Sequence, residues 1–310
     1  MTVLMKRPVL VTGASSGIGK DITRYLTERG HLVYGTVRKD CDADKLRSAG
    51  SVIPLKVDVT CPEQIRAAVN AVTEAGHGLF GLVNNAGIGE IGMLNTWTDD
   101  DMFRIFDVNV FGLHRMINAF LPLLLASGGR IINIGSQGGM LTKKYYGPYT
   151  MTKHALEAYT QTLREELEPY GVTASVIQPG GIATGIGAAM LPGTIARFER
   201  AGAPFREEAD MVLHALMNPP EVSDDEEESE NARRPSSPEI VSRAVHDALV
   251  SPAPKLRYLV GTKWEGDRVI HALIEKLLDE NDSPQHNYPR DALVSLLDEH
   301  LAYRSSTGET

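Results

Sequence analysis

The sequence predicts an α/β fold, a doubly wound parallel sheet, on three observations. Short apolar runs alternate with amphipathic helical stretches through about the first 180 residues. Several runs are apolar along most of their length, as strands are where helices cover both faces of a sheet. The first run also passes through a turn of glycines and serines straight into a helix, which is how a βαβ unit opens.

In chain order, the predicted strands are 8–12, 32–37, 51–57, 81–84, 130–134 and 173–178. The stretches 18–29, 62–75, 99–125 and 150–170 carry apolar residues at helical spacing and supply the crossovers. After Thr184 the rhythm breaks. Residues 185–217 are apolar and helical in patches, with Met190, Leu191, Phe198, Phe205, Met211, Leu213 and Leu216, and predict the start of a substrate lid over about 185–238. Within it, 218–238 holds two adjacent prolines, an acidic run and Arg233-Arg234-Pro235-Ser236-Ser237-Pro238, and predicts a mobile loop that buries little. A helix over 240–250 and a last strand over 256–260 complete a domain of residues 1–262, and 263–310 predict a helical extension.

Net charge is −9, but Asp224, Asp225, Glu226, Glu227, Glu228 and Glu230 supply six of the negatives, leaving −3 elsewhere. No basic surplus offsets phosphate repulsion, so nucleic acid is not expected as a partner. Cys41 and Cys61 build no disulfide framework, and no zinc-type spacing is present, so no metal is expected. The N-terminus runs into a strand without a secretory apolar region, and the longest apolar stretch, 119–126, is too short to span a bilayer. A reduced, cytoplasmic, soluble protein without a transmembrane segment is expected.

Thr12-Gly13-Ala14-Ser15-Ser16-Gly17-Ile18-Gly19 follows the first strand and opens a helix. Glycines allow the tight turn and a close backbone approach, and the helix N-terminus offers free N–H groups to a pyrophosphate. The second strand ends Gly35-Thr36-Val37-Arg38-Lys39, with no acid before Asp40. A carboxylate there would bond a ribose 2′-hydroxyl, whereas Arg accommodates a 2′-phosphate, so the local charge favours NADP over NAD. Ser16 adds a hydroxyl to the same phosphate.

Tyr149 and Lys153 stand one helical turn apart on one face. An unperturbed phenol is a poor acid–base catalyst at neutral pH, and a neighbouring cation lowers its pKa. Ser136 ends the fifth strand at the carboxyl edge, where ligands of such sheets bind, and its hydroxyl is placed to donate to a carbonyl oxygen.

With these pieces in view, the chain resembles the short-chain dehydrogenase/reductase family, in its hydroxysteroid/retinol dehydrogenase-like branch. The matching motifs are TGASSGIG (12–19), NNAG (84–87), DVNVFG around Asn109, IINIGS ending at Ser136, YTMTK (149–153) and PGGIAT (179–184). They stand in the family's order over about residues 7–262, with Ser136 thirteen positions before Tyr149. The resemblance implies a Rossmann fold and interconversion of an alcohol and a carbonyl with a nicotinamide dinucleotide. It implies that Tyr149 is the general acid–base, that Lys153 lowers its pKa and binds the nicotinamide ribose, and that Ser136 orients the substrate oxygen. Asn109 matches the residue that holds a water linking Lys153 to solvent. Gly13, Ser15, Ser16, Gly17, Ile18 and Gly19 form the phosphate turn. Asp58 and Val59 match the adenine contacts, and Asn85, Ala86 and Gly87 the turn beside the adenosine ribose. Pro179, Gly180, Ile182 and Thr184 match the segment holding the carboxamide.

The stretch LREELEPYGV (163–172) resembles the hydroxysteroid, retinol and hydroxybutyrate enzymes, and the apolar lid suits a lipophilic alcohol or ketone, although the same side chains equally suit packing against the sheet. The family's habit of pairing through the helices that carry Asn109 and Tyr149 implies a homodimer or homotetramer. Two alternatives stay open: an NAD-dependent alcohol dehydrogenase of the same family, and a nicotinamide-dinucleotide sensor without turnover. An acidic-loop scaffold for a basic partner is a third.

Overall fold

The computed structural model describes residues 7–48, 52–218 and 235–307. Seven parallel strands form one sheet in the order β3-β2-β1-β4-β5-β6-β7. They are β1 (Pro8–Val11), β2 (Leu32–Val37), β3 (Val52–Lys56), β4 (Gly81–Asn84), β5 (Arg130–Ile134), β6 (Thr173–Pro179) and β7 (Arg257–Val260). Strand order reverses between β1 and β4, so the crevice for a ligand opens there, at the carboxyl ends.

Alternation along the strands sorts the core into two layers. Leu10, Leu82, Ile131 and Ala174 point to one face, under α3 (Pro62–Glu74), α5 (Leu113–Ser127) and α6 (Gly147–Leu167). Their neighbours Val9, Val11, Val83, Ile132 and Ile177 point to the other, under α1 (Gly17–Glu28) and α9 (Glu239–Val250). A sheet buried on both faces is why the strands read as nearly continuous apolar runs.

The strand ends differ from expectation by a residue or so. One helix was not expected: α2 (Asp40–Ser48), DCDADKLRS, which buries only Ala43 and Leu46 and so carries little apolar signal. The helix expected over 99–125 is α4 (Asp99–Phe106), a π-helical turn (Asp107–Gly112), then α5. Together Asp99–Ser127 is long and apolar enough to cross a membrane by length and composition. Here Leu113, Met116, Ile117, Phe120 and Leu124 are spent in the domain core.

The apolar stretch after Thr184 forms two full helices, α7 (Ile186–Glu199) and α8 (Arg206–Met217), rather than patches. The acidic run and Arg233-Arg234 lie outside the described residues. Pro235–Pro238, expected in the mobile loop, is tied down: Ser236 bridges Ile182, with Ser236 N–H donating to the Gly181 carbonyl at 2.8 Å and Ala183 N–H to the Ser236 carbonyl at 2.9 Å. Those backbone bonds compensate for the segment's lack of apolar side chains.

The chain divides into two units, Met1–Gly266 and Asp267–Thr310. The first ends within α10 (Lys263–Asn281); the second holds the rest of α10 and α11 (Arg290–Thr307).

Candidate active site

A cleft of about 890 Å³ lies over the carboxyl ends of the sheet. Gly13, Ser15, Ser16, Gly17, Ile18, Arg38, Asp58, Val59, Asn85, Ala86, Gly87, Ser136, Tyr149, Lys153, Pro179, Gly180, Ile182 and Thr184 all line it. Gly19 and Asn109, the other two residues singled out in the sequence, are buried and do not line it.

Each keeps the wall in shape. A Cβ at Gly19 would collide with the Gly13 carbonyl and the Asn85 amide, so only glycine lets α1 begin this close to β1. Gly13 itself stands at φ 67°, in the left-handed region. Asn85 donates its side-chain amide to the carbonyls of Thr12 (2.9 Å) and Gly13 (3.3 Å). The Thr12 hydroxyl accepts the N–H groups of Asn85 and Ala86, both at 2.9 Å, joining the ends of β1 and β4 across the switch point. Asn109 donates to the Ile88 carbonyl at 2.8 Å and the Thr152 hydroxyl at 3.1 Å, and accepts the Ile88 N–H at 2.8 Å. Its side chain is therefore committed to holding the loop after β4 against α6.

At the glycine-rich end, Ser16 caps α1 through its backbone carbonyl, with Lys20 N–H at 3.1 Å, and makes no side-chain cap bond, which leaves its hydroxyl to the cleft. Burial pushes the Asp58 carboxyl up, but bonds from the Thr60 hydroxyl (2.7 Å) and amide (2.9 Å) and the charge of Arg38 outweigh it, so Asp58 lies below its ordinary value. Asp40, the first acid after β2, pairs with Lys56 at 2.8 Å.

At the other end, Pro148 in the first turn of α6 starts that helix just ahead of Tyr149. The Ser136 hydroxyl oxygen accepts the Gly138 N–H at 3.0 Å, which leaves its one hydrogen to be donated toward the Tyr149 phenol. Burial raises the Tyr149 phenol above its ordinary value, and a hydrogen bond with Ser136 pulls it part of the way back. Lys153 is buried, its Nζ donating to the Ile134 carbonyl at 2.8 Å and lying 5.7 Å from the Tyr149 ring centre. Burial lowers its pKa to about 8, opposed by Glu157.

That burial has a cost in stability. The unfolded chain holds the lysine proton up to about 10.5 and the folded chain only to about 8, so this group's contribution to stability rises with pH across that window. Lys153→Met should therefore stabilise the fold at pH 7, by on the order of 3 kcal/mol, with the gain fading toward pH 10. Urea midpoints at the two pH values check this; no gain at pH 7 would mean the Ile134 bond offsets the desolvation.

The sequence reading missed most of one wall of the cleft: Gly89 and Glu90 after β4, Phe103, Arg104, Val108 and Phe111 from α4 and the π turn, and Ala189 from α7. No motif marks them. The larger side chains after Thr184 divide between the two roles that the sequence left open. Of the larger side chains expected there, Met190 lines the cleft, whereas Phe198 is wholly buried in a satellite core with Met93, Ala201 and Ala209, against which Tyr145, Leu213 and Leu216 pack. Phe205 and Met211 are exposed. Among the described residues no group of three or more His, Cys, Asp or Glu is placed to hold a metal.

The chain is similar to known proteins. The family model described as "short chain dehydrogenase" matches residues 7–193. A 3-ketodihydrosphingosine reductase of Bacteroides thetaiotaomicron is 39% identical over 57% of this chain and 64% of its own length. An uncharacterized oxidoreductase, YbbO, of Escherichia coli is 34% identical over 83% of this chain and 86% of its own. Estradiol 17-beta-dehydrogenase 2 of Mus musculus is 37% identical over 58% of this chain, which spans 49% of that enzyme. A short-chain dehydrogenase from Streptomyces avermitilis superposes with a TM-score of 0.73 over 93% of this chain and 100% of that one, at 24% identity, a likeness of fold. A strand–glycine turn–helix, a half-buried Tyr149 beside a buried Lys153, and Ser136 on one cleft accompany the family match, and the chain belongs to the short-chain dehydrogenase family of oxidoreductases.

Proposed function

We propose that this protein is an NADP-dependent oxidoreductase that interconverts a lipophilic secondary alcohol and its ketone, with Tyr149 as general acid–base. The observation that carries the reading is a single cleft with Ser136, Tyr149 and Lys153 at one end and the glycine turn with Arg38 at the other. The residues fit a dinucleotide: a Cβ at Gly17 would lie 3.4 Å from Thr184, so the phosphate turn and the 179–184 segment face each other closely, with backbone exposed where a pyrophosphate needs it. When bound, the nicotinamide supplies or accepts the hydride. The chain's own residues supply the rest. Ser136 donates to the substrate oxygen, Tyr149 gives or takes the proton at that oxygen, and Lys153 stabilises the phenolate.

Preference for NADP rests on Arg38 and Ser16 lining the cleft while Asp40 is engaged by Lys56. Phe103, Val108, Phe111 and Met190 offer an apolar wall suited to a lipophilic substrate, in keeping with the names of the sphingosine-type and estradiol relatives. We also read the protein as cytoplasmic, on its two free cysteines, and as a homodimer or homotetramer, on exposed Phe111 and Met151 on the helices that bear Asn109 and Tyr149.

Fluorescence titration with NADPH and NADH, followed by reduced-nicotinamide absorbance on a ketone and alcohol panel, tests the reading. NADPH should bind more tightly and be oxidised with lipophilic ketones. Arg38→Asp should reduce the NADPH-to-NADH preference by about tenfold or more; an unchanged ratio removes Arg38 as the phosphate reader. Binding without turnover on any substrate would favour a sensor.

A further inference from the structure

We propose that Glu265 is a positioning residue for the nicotinamide half of the cleft, an inference that rests on reading the cleft as a dinucleotide site. Thr262-Lys263-Trp264-Glu265 forms a capping box at the start of α10. The Glu265 N–H donates to the Thr262 hydroxyl at 3.3 Å, and the Thr262 N–H donates to Glu265 Oε2 at 3.0 Å. A capping box needs only one carboxylate oxygen. The other, Oε1, accepts the N–H of Gly181 at 2.5 Å, from a residue 84 positions earlier in the chain.

The carboxylate sits where three glycines leave room. A Cβ at Gly181 would lie 3.1 Å from Oε1 and one at Gly261 2.5 Å from Oε2, while one at Gly180 would collide with the carboxylate itself. Gly180 and Ile182, on either side of Gly181, line the cleft at its Ser136–Tyr149 end, where proton transfer requires the reacting ring to lie. Two successive glycines restrain that wall poorly by themselves. Three contacts hold it: Gly180 N–H on the Val260 carbonyl at 2.9 Å, the Ser236 bridge, and the charge-assisted bond to Glu265. Glu265 therefore links the cap of α10 to the surface against which the nicotinamide half is oriented. Arg38 and Asp58, at the adenosine half, follow β2 and β3, on the other side of the switch point from β6.

The test uses the full-length protein and its Glu265→Ala, Glu265→Gln and Thr262→Ala variants. NADPH and NADH are titrated beside the same molecules lacking nicotinamide, 2′-phospho-ADP-ribose and ADP-ribose, and hydrogen exchange is followed over 179–184 without ligand. Glu265→Ala should weaken dinucleotide binding about tenfold and speed exchange of the Gly181 amide, while binding of the ribose fragments stays within about twofold. Glu265→Gln keeps one acceptor and should recover part of the loss. Thr262→Ala breaks the cap alone, so it should lower the melting temperature with dinucleotide affinity retained. Unchanged affinity in Glu265→Ala, equal loss for dinucleotide and fragment, or the same loss in Thr262→Ala would each overturn the proposal and reduce Glu265 to a helix cap. If the wild-type protein binds the fragments but gains nothing from the nicotinamide, the positioning role falls and the dinucleotide reading falls with it. If Glu265→Ala speeds exchange yet leaves affinity unchanged, only the positioning role falls.

Discussion

Tyr149→Phe is expected to lower kcat by about a thousandfold while the dinucleotide Kd stays within about twofold. The phenol and the Ser136 hydroxyl stand together at the end of the cleft, but an aliphatic hydroxyl is far too weak an acid to replace a phenol in proton transfer. Lys153 does not replace it either, because its Nζ is held at the Ile134 carbonyl. The substitution removes one oxygen and leaves the ring's packing. Ser136 keeps its bond from the Gly138 N–H, so the melting temperature should hardly move. Steady-state kinetics with the best ketone from the panel checks this, and a kcat within tenfold of wild type would remove Tyr149 from the proton path.

Arg197→Met carries the largest expected loss of stability, on the order of 3 kcal/mol. Arg197, on α7, is wholly buried, with its guanidinium 3.8 Å from the Trp97 ring centre. It pairs with Glu90 and, at 3.1 Å, with Asp101. Methionine fills much of the same volume, so the loss is chiefly that of a cation between two poorly hydrated carboxylates. Each acid keeps a second partner, Arg104 on Glu90 and Arg200 on Asp101, both at 2.6 Å. Arg197 Nε and Nη1 also lack an acceptor, so its burial is already imperfectly compensated. Both facts set the effect at the lower end for a broken buried pair.

The same network has an acid signature. Burial pushes the Asp101 carboxyl up, but the bond to Arg200 and the charges of Arg197 and Arg200 overcome it and hold the pKa at about 2, against an ordinary 3.8. Its contribution to stability is complete above the ordinary value and is lost as pH falls through the folded one. In Arg197→Met the folded value rises toward the ordinary one, so that contribution should be smaller and be fully lost at a higher pH. Because α7 also carries Ala189 and Met190 into the cleft, the substrate KM should rise while the NADPH Kd stays close to wild type. Urea titrations at pH 7 and pH 3 with paired kinetics test this, and a cost below about 1 kcal/mol at pH 7 would show that the network does not hold α7 in place.

What the chain determined by itself was whatever short-range pattern encodes. Apolar runs set between helical stretches told where the strands lie and that helices cover both faces of the sheet. The run from Thr12 to Gly19 announced a tight strand-to-helix turn because Gly13 and Gly17 take left-handed backbone, and Tyr149 and Lys153 shared a face because helical spacing puts them there. Helix α2 escaped because two buried side chains leave no periodic signal. The role of the stretch after Thr184 was decided only in three dimensions: Phe198, Leu213 and Leu216 joined a satellite core and Met190 alone of the larger side chains reached the cleft. The Arg197–Glu90 and Arg197–Asp101 pairs, 107 and 96 residues apart, and the Glu265–Gly181 bond were likewise invisible. Local sequence records which face of an element is apolar. The partner of a buried charge depends on which distant segments the folded sheet brings within about 3 Å, and no short-range pattern carries that information.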